Sequence, residues 1–227
     1  MPFLPASSAT PIWIRSSRSA CVLRSKKPGH TDSEELLKIK KLIRETEARA
    51  AALACGVPPE QLEFMDLRFY RTGTIAKAPI HPQDIADILT LLKRLQPAQI
   101  YLSGELSDPH GTHRTCTDAV LQAVREVKGQ GQQFEIWLYR GAWEEWEPHQ
   151  IERVVPLSAP DLERKKLAIF RHQSQKDRAM FPGGADRREF WQRAEDRNIE
   201  TARLYDRLGL PEFYALEAFV QWHGSDD

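Results

Sequence analysis

Residues 99–114 read QIYLSGELSDPHGTHR, and this stretch decides how the rest of the chain is interpreted. The apolar run over 99–102 predicts a short β-strand, and the periodicity after the polar run predicts a helix over about 115–128. In an open α/β sheet, ligands bind beyond the carboxyl ends of the strands. The polar residues between this strand and this helix are therefore the first place to look for chemistry.

Helical and strand patterns alternate on both sides of this stretch. Strands are predicted over 62–70, 134–139 and 153–157, with helices before and between them. Two charged helices, over about 160–176 and 187–208, and an apolar stretch over 214–222 follow. The alternation predicts an α/β fold with a mostly parallel sheet and helices on both faces.

The composition excludes several classes of protein. The chain has 227 residues with 32 Lys and Arg against 32 Asp and Glu, so the net charge of zero argues against a basic nucleic-acid binder. No apolar run is long enough to span a membrane. The three cysteines form no CxxC pair, which argues against a disulfide scaffold or a zinc ribbon. We therefore expect a cytoplasmic protein with neither a nucleic-acid nor a membrane partner.

The first 31 residues differ from the remainder in charge and patterning. They contain five basic residues and no acidic one, so this segment has a charge of +5 and the remainder −5. Its prolines, serines and lack of periodicity predict a disordered basic leader, followed by one domain over 32–227. The segment could be an organelle transit peptide or sequence outside the native domain. The absence of an amphipathic period favours the second.

His110 and His113 lie three residues apart in the loop after the strand. Neutral imidazole is a common zinc ligand, and a neighbouring histidine can donate a proton or stabilise an oxyanion. Zinc requires at least three protein ligands, and the spacing by itself fits a solvent-exposed turn equally well. The spacing of the two histidines is therefore compatible both with a metal or catalytic site and with an ordinary solvent-exposed turn.

Several segments together resemble a known family. Residues 107–113, SDPHGTH, resemble the second metal motif of the PIG-L/LmbE-like deacetylases, zinc enzymes that remove N-acetyl groups from amino sugars. Residues 44–56, with Glu47, resemble their first conserved helix, and residues 166–175, ending HQSQ, resemble a late helix. Residues 137–146 and 181–191 resemble the PIG-L-type domain at the C-terminus of some bacterial proteins named glucosamine-6-phosphate deaminase. The resemblance covers roughly residues 33–222.

The resemblance implies a Rossmann-like, LmbE-like fold and a role for each histidine. His113 matches a zinc ligand, and His110 matches the residue that stabilises the tetrahedral intermediate or acts as an acid. Family members usually have Pro-Asp between these histidines, whereas this chain has Gly111 and Thr112. Asp108 is the substitute we expect for the missing orienting aspartate. Zinc is the implied cofactor.

The family's first metal motif, an HPDD sequence after the first strand, has no counterpart. Residues 81–84 read HPQD, but Pro82 and Asp84 are better explained as the start of a helix, because no apolar strand precedes them. The first strand region is therefore expected to be missing. This predicts an N-terminally incomplete domain that is weakly active or inactive.

Arg68 and Tyr70 follow the strand predicted over 62–70, so they are candidates to bind a sugar or a phosphate; a solvated strand edge is the alternative. The resemblance implies zinc-assisted amide hydrolysis of N-acetylated amino sugars. A non-catalytic sugar-binding or interaction module is the competing hypothesis. A deaminase activity would belong to a separate domain. The expected partners are an amino sugar or sugar phosphate and, in addition, a separate deaminase domain or a second copy of the chain.

Overall fold

One sheet of four strands organises the part of the chain that the structure describes. The computed structural model describes residues 31–71, 77–104, 111–129, 134–142, 144–175 and 188–224. Within these ranges the sheet has the order β1-β2-β4-β3. The strands are β1 Gln99–Ser103, β2 Glu135–Tyr139, β3 Arg153–Leu157 and β4 Ala215–Gln221.

The described sheet is mixed, so the expectation of a mostly parallel sheet is not confirmed. β1 and β2 run parallel, whereas β4 pairs antiparallel with both β2 and β3. A single crossover helix returns the chain to the starting end of a strand and produces a parallel pair. Two helices, Ala159–Arg171 and Phe190–Arg207, separate β3 from β4 along the chain, and β4 pairs antiparallel with β3.

Five α-helices among the described residues lie where the sequence predicts helices, with ends that differ by a few residues. They are α1 Glu34–Ala54, α2 Pro82–Leu95, α3 Thr112–Lys128, α4 Ala159–Arg171 and α5 Phe190–Arg207. Short 3-10 turns span Pro59–Gln61, Arg68–Tyr70 and Pro148–Gln150. No helix among the described residues is long and apolar enough to cross a bilayer.

The strand predicted over 62–70 is absent. Residues 62–67 take no regular secondary structure, and residues 68–70 form a 3-10 turn. The flanking residues Leu62 and Leu67 have extended backbone angles. A strand requires a hydrogen-bonded neighbour as well as an extended backbone, and the described sheet provides none for this segment. The prediction of a strand over 62–70 was therefore wrong, although Leu62 and Leu67 have extended backbones.

Helices cover both faces of the sheet. On one face α2 and α3 pack around a buried apolar cluster that includes Ile88, Val124 and Ile136. The register places Glu217 of β4 on the opposite face, where Lys165 of α4 and Arg197 of α5 bind its carboxylate. The first face is held by apolar burial, and the second by a network of charges.

The charge network joins α4, α5 and β4 to the loop that follows β2, residues 140–152. Arg197, whose side chain is 7% exposed, donates to Glu145 at 2.8 Å and to Glu217. Lys165 donates to Glu217 and to the Asn198 side-chain oxygen, both at 2.7 Å. Burial acts to raise the pKa of Glu217, but the charges of Arg197 and Lys165 outweigh it and lower that pKa. The carboxylate is therefore ionised and paired.

Glu217→Gln should destabilise the fold by roughly 3 kcal/mol, because it leaves two partly buried cations without their shared anion. Urea denaturation at pH 7 measures this loss. Glu200→Gln is the matched control: it removes an exposed ion pair with Arg203 and should change the free energy of unfolding by less than about 0.5 kcal/mol. Equal losses in both variants would contradict the role of the network.

The same variant predicts a pH dependence. Because the folded-state pKa of Glu217 is lowered, its stabilisation is complete above the unfolded-state pKa of about 4.3 and is lost as the pH falls through the folded-state value. The stability difference between wild type and Glu217→Gln should therefore narrow below about pH 4. A difference that stays constant down to about pH 2 would contradict an ionised, paired Glu217.

Candidate functional site

The candidate site lies where β1 and β2 end and α3 begins. Gly111 adopts a left-handed backbone with φ of 65°, and α3 starts at the next residue. Thr117 of α3 donates its hydroxyl to the Ser103 carbonyl at 2.7 Å. This bond fixes the first turns of the helix against the end of the strand. The sequence positioned this junction correctly.

An open pocket of about 210 Å³ occupies this junction. His113 and Cys116 contribute from the first turns of α3, and Tyr139 contributes from the end of β2. Burial raises the pKa of the Tyr139 hydroxyl, and the negative charge of Glu217 adds to the effect. Tyr139 is therefore a neutral hydrogen-bonding group at neutral pH. The remaining wall consists of Tyr101, Leu102, Ser103, Thr117 and Val120.

The predicted site residues are placed unequally. His113 is exposed and lines the pocket, while His110 and Asp108 lie outside the described residues. Arg68 pairs with Asp87 at 3.3 Å. Tyr70 is half exposed and lies beneath the Lys77 ammonium, which is 4.4 Å from the centre of its ring. Neither Arg68 nor Tyr70 is among the described residues that line the pocket.

The described residues do not make up a zinc site. No group of three or more His, Cys, Asp or Glu side chains that could hold a metal ion occurs within the described ranges. His113 is the predicted ligand within those ranges. The roles of Asp108 and His110 as a proton donor or positioning group remain predictions.

The HPQD sequence at 81–84 starts a helix, as its context predicted. The His81 side chain accepts from the Gln83 amide, and the fully buried Asp84 carboxylate accepts from the His81 amide at 3.0 Å. Asp84 also accepts from the amides of Arg68 at 2.6 Å and Phe69 at 3.3 Å. Burial acts to raise the pKa of Asp84, but these amides outweigh it and lower that pKa. Asp84 therefore holds the 3-10 turn against α2.

Two segments that carry the family resemblance meet in the structure. Glu47 of α1 is buried and accepts from the backbone amide of Ser174 at 2.6 Å and from its hydroxyl at 2.7 Å. Ser174 belongs to the HQSQ sequence after α4. The contact ties the first helix to the segment that follows α4. Its role is structural.

A stacked group that the sequence did not reveal covers the end of β1. Gly104 donates its amide to the Tyr139 carbonyl at 2.7 Å and so continues the pairing of β1 with β2. The Trp146 ring occupies the space of the absent side chain: a Cβ on Gly104 would lie 2.6 Å from its Cζ2 atom. The Arg140 guanidinium carbon lies 4.0 Å from the centre of the same ring. A glycine directly after a predicted strand was the available signal.

No family model matches the chain. A putative glucosamine-6-phosphate deaminase-like protein from Bacteroides thetaiotaomicron is 49% identical over 204 residues, which is 88% of this chain. The chain spans only 31% of the length of that relative.

Solved structures with similar folds include three proteins of different description. The 4-carboxy-2-hydroxymuconate hydratase GalB from Pseudomonas putida has a TM-score of 0.55 at 16% identity and covers 93% of this chain and 81% of its own. A conserved protein from Thermus thermophilus has a TM-score of 0.50 at 17% identity, covering 88% and 78%. The pseudoaglycone deacetylase Dbv21 has a TM-score of 0.50 at 17% identity, covering 82% and 72%.

The chain has an LmbE-like fold. The deacetylase Dbv21 shares this fold, which confirms the fold implied by the resemblance of the SDPHGTH and HQSQ sequences. A hydratase shares the same fold, so an LmbE-like fold does not determine the reaction. The reaction has to be argued from the residues at the carboxyl ends of β1 and β2.

Gly104→Ala should destabilise the protein by roughly 1–3 kcal/mol, because the new methyl group would overlap the Trp146 ring and approach the Leu138 Cβ atom at 3.1 Å. Urea denaturation and near-ultraviolet circular dichroism measure the loss of stability and of tryptophan packing. Gly129→Ala is the control. Gly129 ends α3 in a right-handed conformation, and an added Cβ there meets only ordinary contacts at 3.4 Å or more. Equal effects would show that Trp146 does not depend on Gly104.

Proposed function

We propose that the chain is a PIG-L/LmbE-type hydrolase domain that acts on N-acetylated amino sugars and has little activity as an isolated chain. The observation that carries the proposal is the pocket at the carboxyl ends of β1 and β2, into which the first turn of α3 brings His113. Ligands of open α/β sheets bind at this position. The deacetylase among the neighbours supports amide hydrolysis, and the description of the 49% identical relative supports an amino sugar.

The proposal assigns each predicted residue a role. His113 contributes one imidazole to the metal that such hydrolases use. His110 stabilises the negative charge that develops on the amide oxygen, and Asp108 orients that histidine. Arg68 and Tyr70, which lie outside the described wall of the pocket, are assigned to a part of the sugar that extends beyond it. The proposed low activity rests on the predicted metal ligands within the described residues, because His113 by itself does not hold a zinc ion tightly.

This chain corresponds to less than a third of the length of the 49% identical relative. We propose that the domain works in a longer amino-sugar enzyme, with any deaminase activity in a separate domain. A non-catalytic sugar-binding module is the competing proposal. It is favoured by the exposed position of His113 and by the lack of a metal-binding group within the described residues.

Acetate release from N-acetylglucosamine, measured with and without added zinc, tests the proposal. The purified chain should contain well under one zinc ion per molecule by atomic absorption, and added zinc should stimulate a slow release. His113→Ala should abolish this release, because it removes the metal ligand at the pocket. His223→Ala is the matched control, since His223 is an exposed histidine beyond the end of β4.

Three results would contradict the proposal. Unchanged release in His113→Ala would remove this histidine from the site. Stoichiometric zinc that resists chelators would show that the chain has a full set of ligands and is not weakly active for lack of them. Calorimetric binding of N-acetylglucosamine without acetate release at any zinc concentration would assign the chain to the non-catalytic alternative.

A further inference from the structure

The loop after β2 holds a cation whose hydrogen bonds are incomplete. Arg140 follows β2 directly, and its side chain is only 12% exposed. Its guanidinium stacks on the Trp146 ring at 4.0 Å. The Nε and Nη1 atoms of Arg140 and the Nε1 atom of Trp146 are all buried, and none has a hydrogen-bond partner among the described residues. Three donors in one stacked contact therefore lack an acceptor.

Buried donors of this kind are unusual. Most buried polar side-chain atoms are hydrogen-bonded, and a group without a partner is destabilising, more so when it is charged. All three atoms are N–H donors, so the missing component is an acceptor. The combination of a guanidinium with a neighbouring indole N–H matches a small oxyanion better than a second cation or an apolar ligand.

Two other arginines differ from Arg140 in their partners. Both terminal nitrogens of Arg197 are bound, to Glu145 and to Glu217, although its Nε atom is buried without a hydrogen-bond partner. Arg153 stacks on Trp137 at 3.6 Å and lies 3.6 Å from a Glu135 oxygen, and none of its nitrogens is a buried donor without a partner. The carboxylate paired with Arg140 is that of Glu144, whose oxygen lies 3.8 Å from Nη1.

Glu144 does not saturate this cation. Its 3.8 Å separation from Arg140 exceeds hydrogen-bond distance, and its side chain is 55% exposed. An exposed carboxylate of this kind can move into solvent at little cost. An incoming anion would therefore displace the weakly held Glu144 carboxylate from Arg140 at little cost.

The position of the group connects it with the candidate site. Trp146 packs directly over Gly104, and Gly104 pairs with Tyr139 at the wall of the pocket that contains His113. Arg140 is the residue after Tyr139. Arg140 and Trp146 are not among the described residues that line the pocket, so a ligand has to extend past Tyr139 to meet the stacked pair. The group is thus placed to recognise one end of a bound substrate.

We propose that Arg140 and Trp146 form a subsite for the phosphate group of a sugar phosphate bound at the carboxyl ends of β1 and β2. A phosphate monoester has nearly two negative charges at about pH 7 and three acceptor oxygens, which complements the three unpartnered donors. The subsite deepens the proposed hydrolase function and rests on it for the identity of the sugar. The binding of phosphate itself does not depend on hydrolysis.

Calorimetry with inorganic phosphate and with N-acetylglucosamine 6-phosphate tests the subsite in the full chain. The phosphorylated sugar should bind at least roughly tenfold more tightly than N-acetylglucosamine, as expected for the gain of a charge-assisted contact. Arg140→Gln should remove this preference, and Arg140→Lys should retain part of it. No binding of either phosphate compound by the wild type would overturn the proposal, because the donors would then be satisfied by water.

Two further variants separate the subsite from a general effect of charge. Arg153→Gln removes a stacked arginine that has no buried nitrogen without a hydrogen-bond partner, and should leave phosphate affinity within about twofold. Glu144→Gln should strengthen phosphate binding, because it removes the competing anion. Equal weakening by Arg140→Gln and Arg153→Gln, or no effect of Glu144→Gln, would overturn the assignment. Circular dichroism of each variant confirms that it is folded.

The outcome distinguishes the subsite from the hydrolase function. Phosphate binding that depends on Arg140, without acetate release from either sugar, would support the subsite and contradict the hydrolase. Acetate release with equal affinity for both sugars would support the hydrolase and overturn the subsite. Binding of acetate or citrate in preference to phosphate would also overturn it, since the site would then recognise carboxylates.

Discussion

The ion pairs of Arg197 with Glu145 and Glu217 are the interaction on which the rest of the carboxyl edge depends. Glu217 lies on β4 and Arg197 on α5, whereas Glu145 belongs to the loop after β2. Thr201 also donates to Glu145 at 2.7 Å. A loop of this length would otherwise be free to move, since few backbone bonds hold it. The network anchors the loop to a helix and to a central strand.

The anchored loop determines what covers the ends of the parallel strands. Glu145 precedes Trp146, so fixing the glutamate directs the indole ring onto Gly104 and beneath the Arg140 guanidinium. Gly104 is the residue after the last residue of β1, and His113 lies in the first turn of α3. The buried charges thus organise the loop, the loop organises the stacked pair, and the pair borders the pocket. Charged networks in a protein interior can specify geometry in this way, although each ion is costly to bury.

The sequence predicted the local elements well and their pairing poorly. Apolar periodicity located all five described helices, and the SDPHGTH sequence indicated the junction at which the pocket lies. The prediction of a strand over 62–70 was wrong because an alternating pattern does not specify a hydrogen-bonded neighbouring strand, which a strand requires. The expectation of a mostly parallel sheet was not confirmed, because β4 pairs antiparallel with both β2 and β3. The roles of Gly104, Arg140 and Glu145 could not be predicted, since they depend on contacts between residues that are distant along the chain.

Glu47 and Ser174 are a case in which the sequence indicated the segments but not the contact between them. The resemblance singled out both segments, yet only the structure showed that they bind each other across 127 residues of sequence. Glu47, Ser174 and Asp84 could have been mistaken for catalytic residues. Their contacts show that they hold the fold together. What remains for chemistry is the edge bounded by His113, Tyr139 and the loop after β2.

Amide hydrogen exchange of the full chain, with and without N-acetylglucosamine 6-phosphate, tests most directly that this edge is the ligand site. We expect slower exchange at residues 99–104, 111–117 and 139–147, with residues 153–157 of β3 unchanged. Protection centred on α1 and α4, or no protection at ligand concentrations that saturate binding, would contradict a ligand site at this edge.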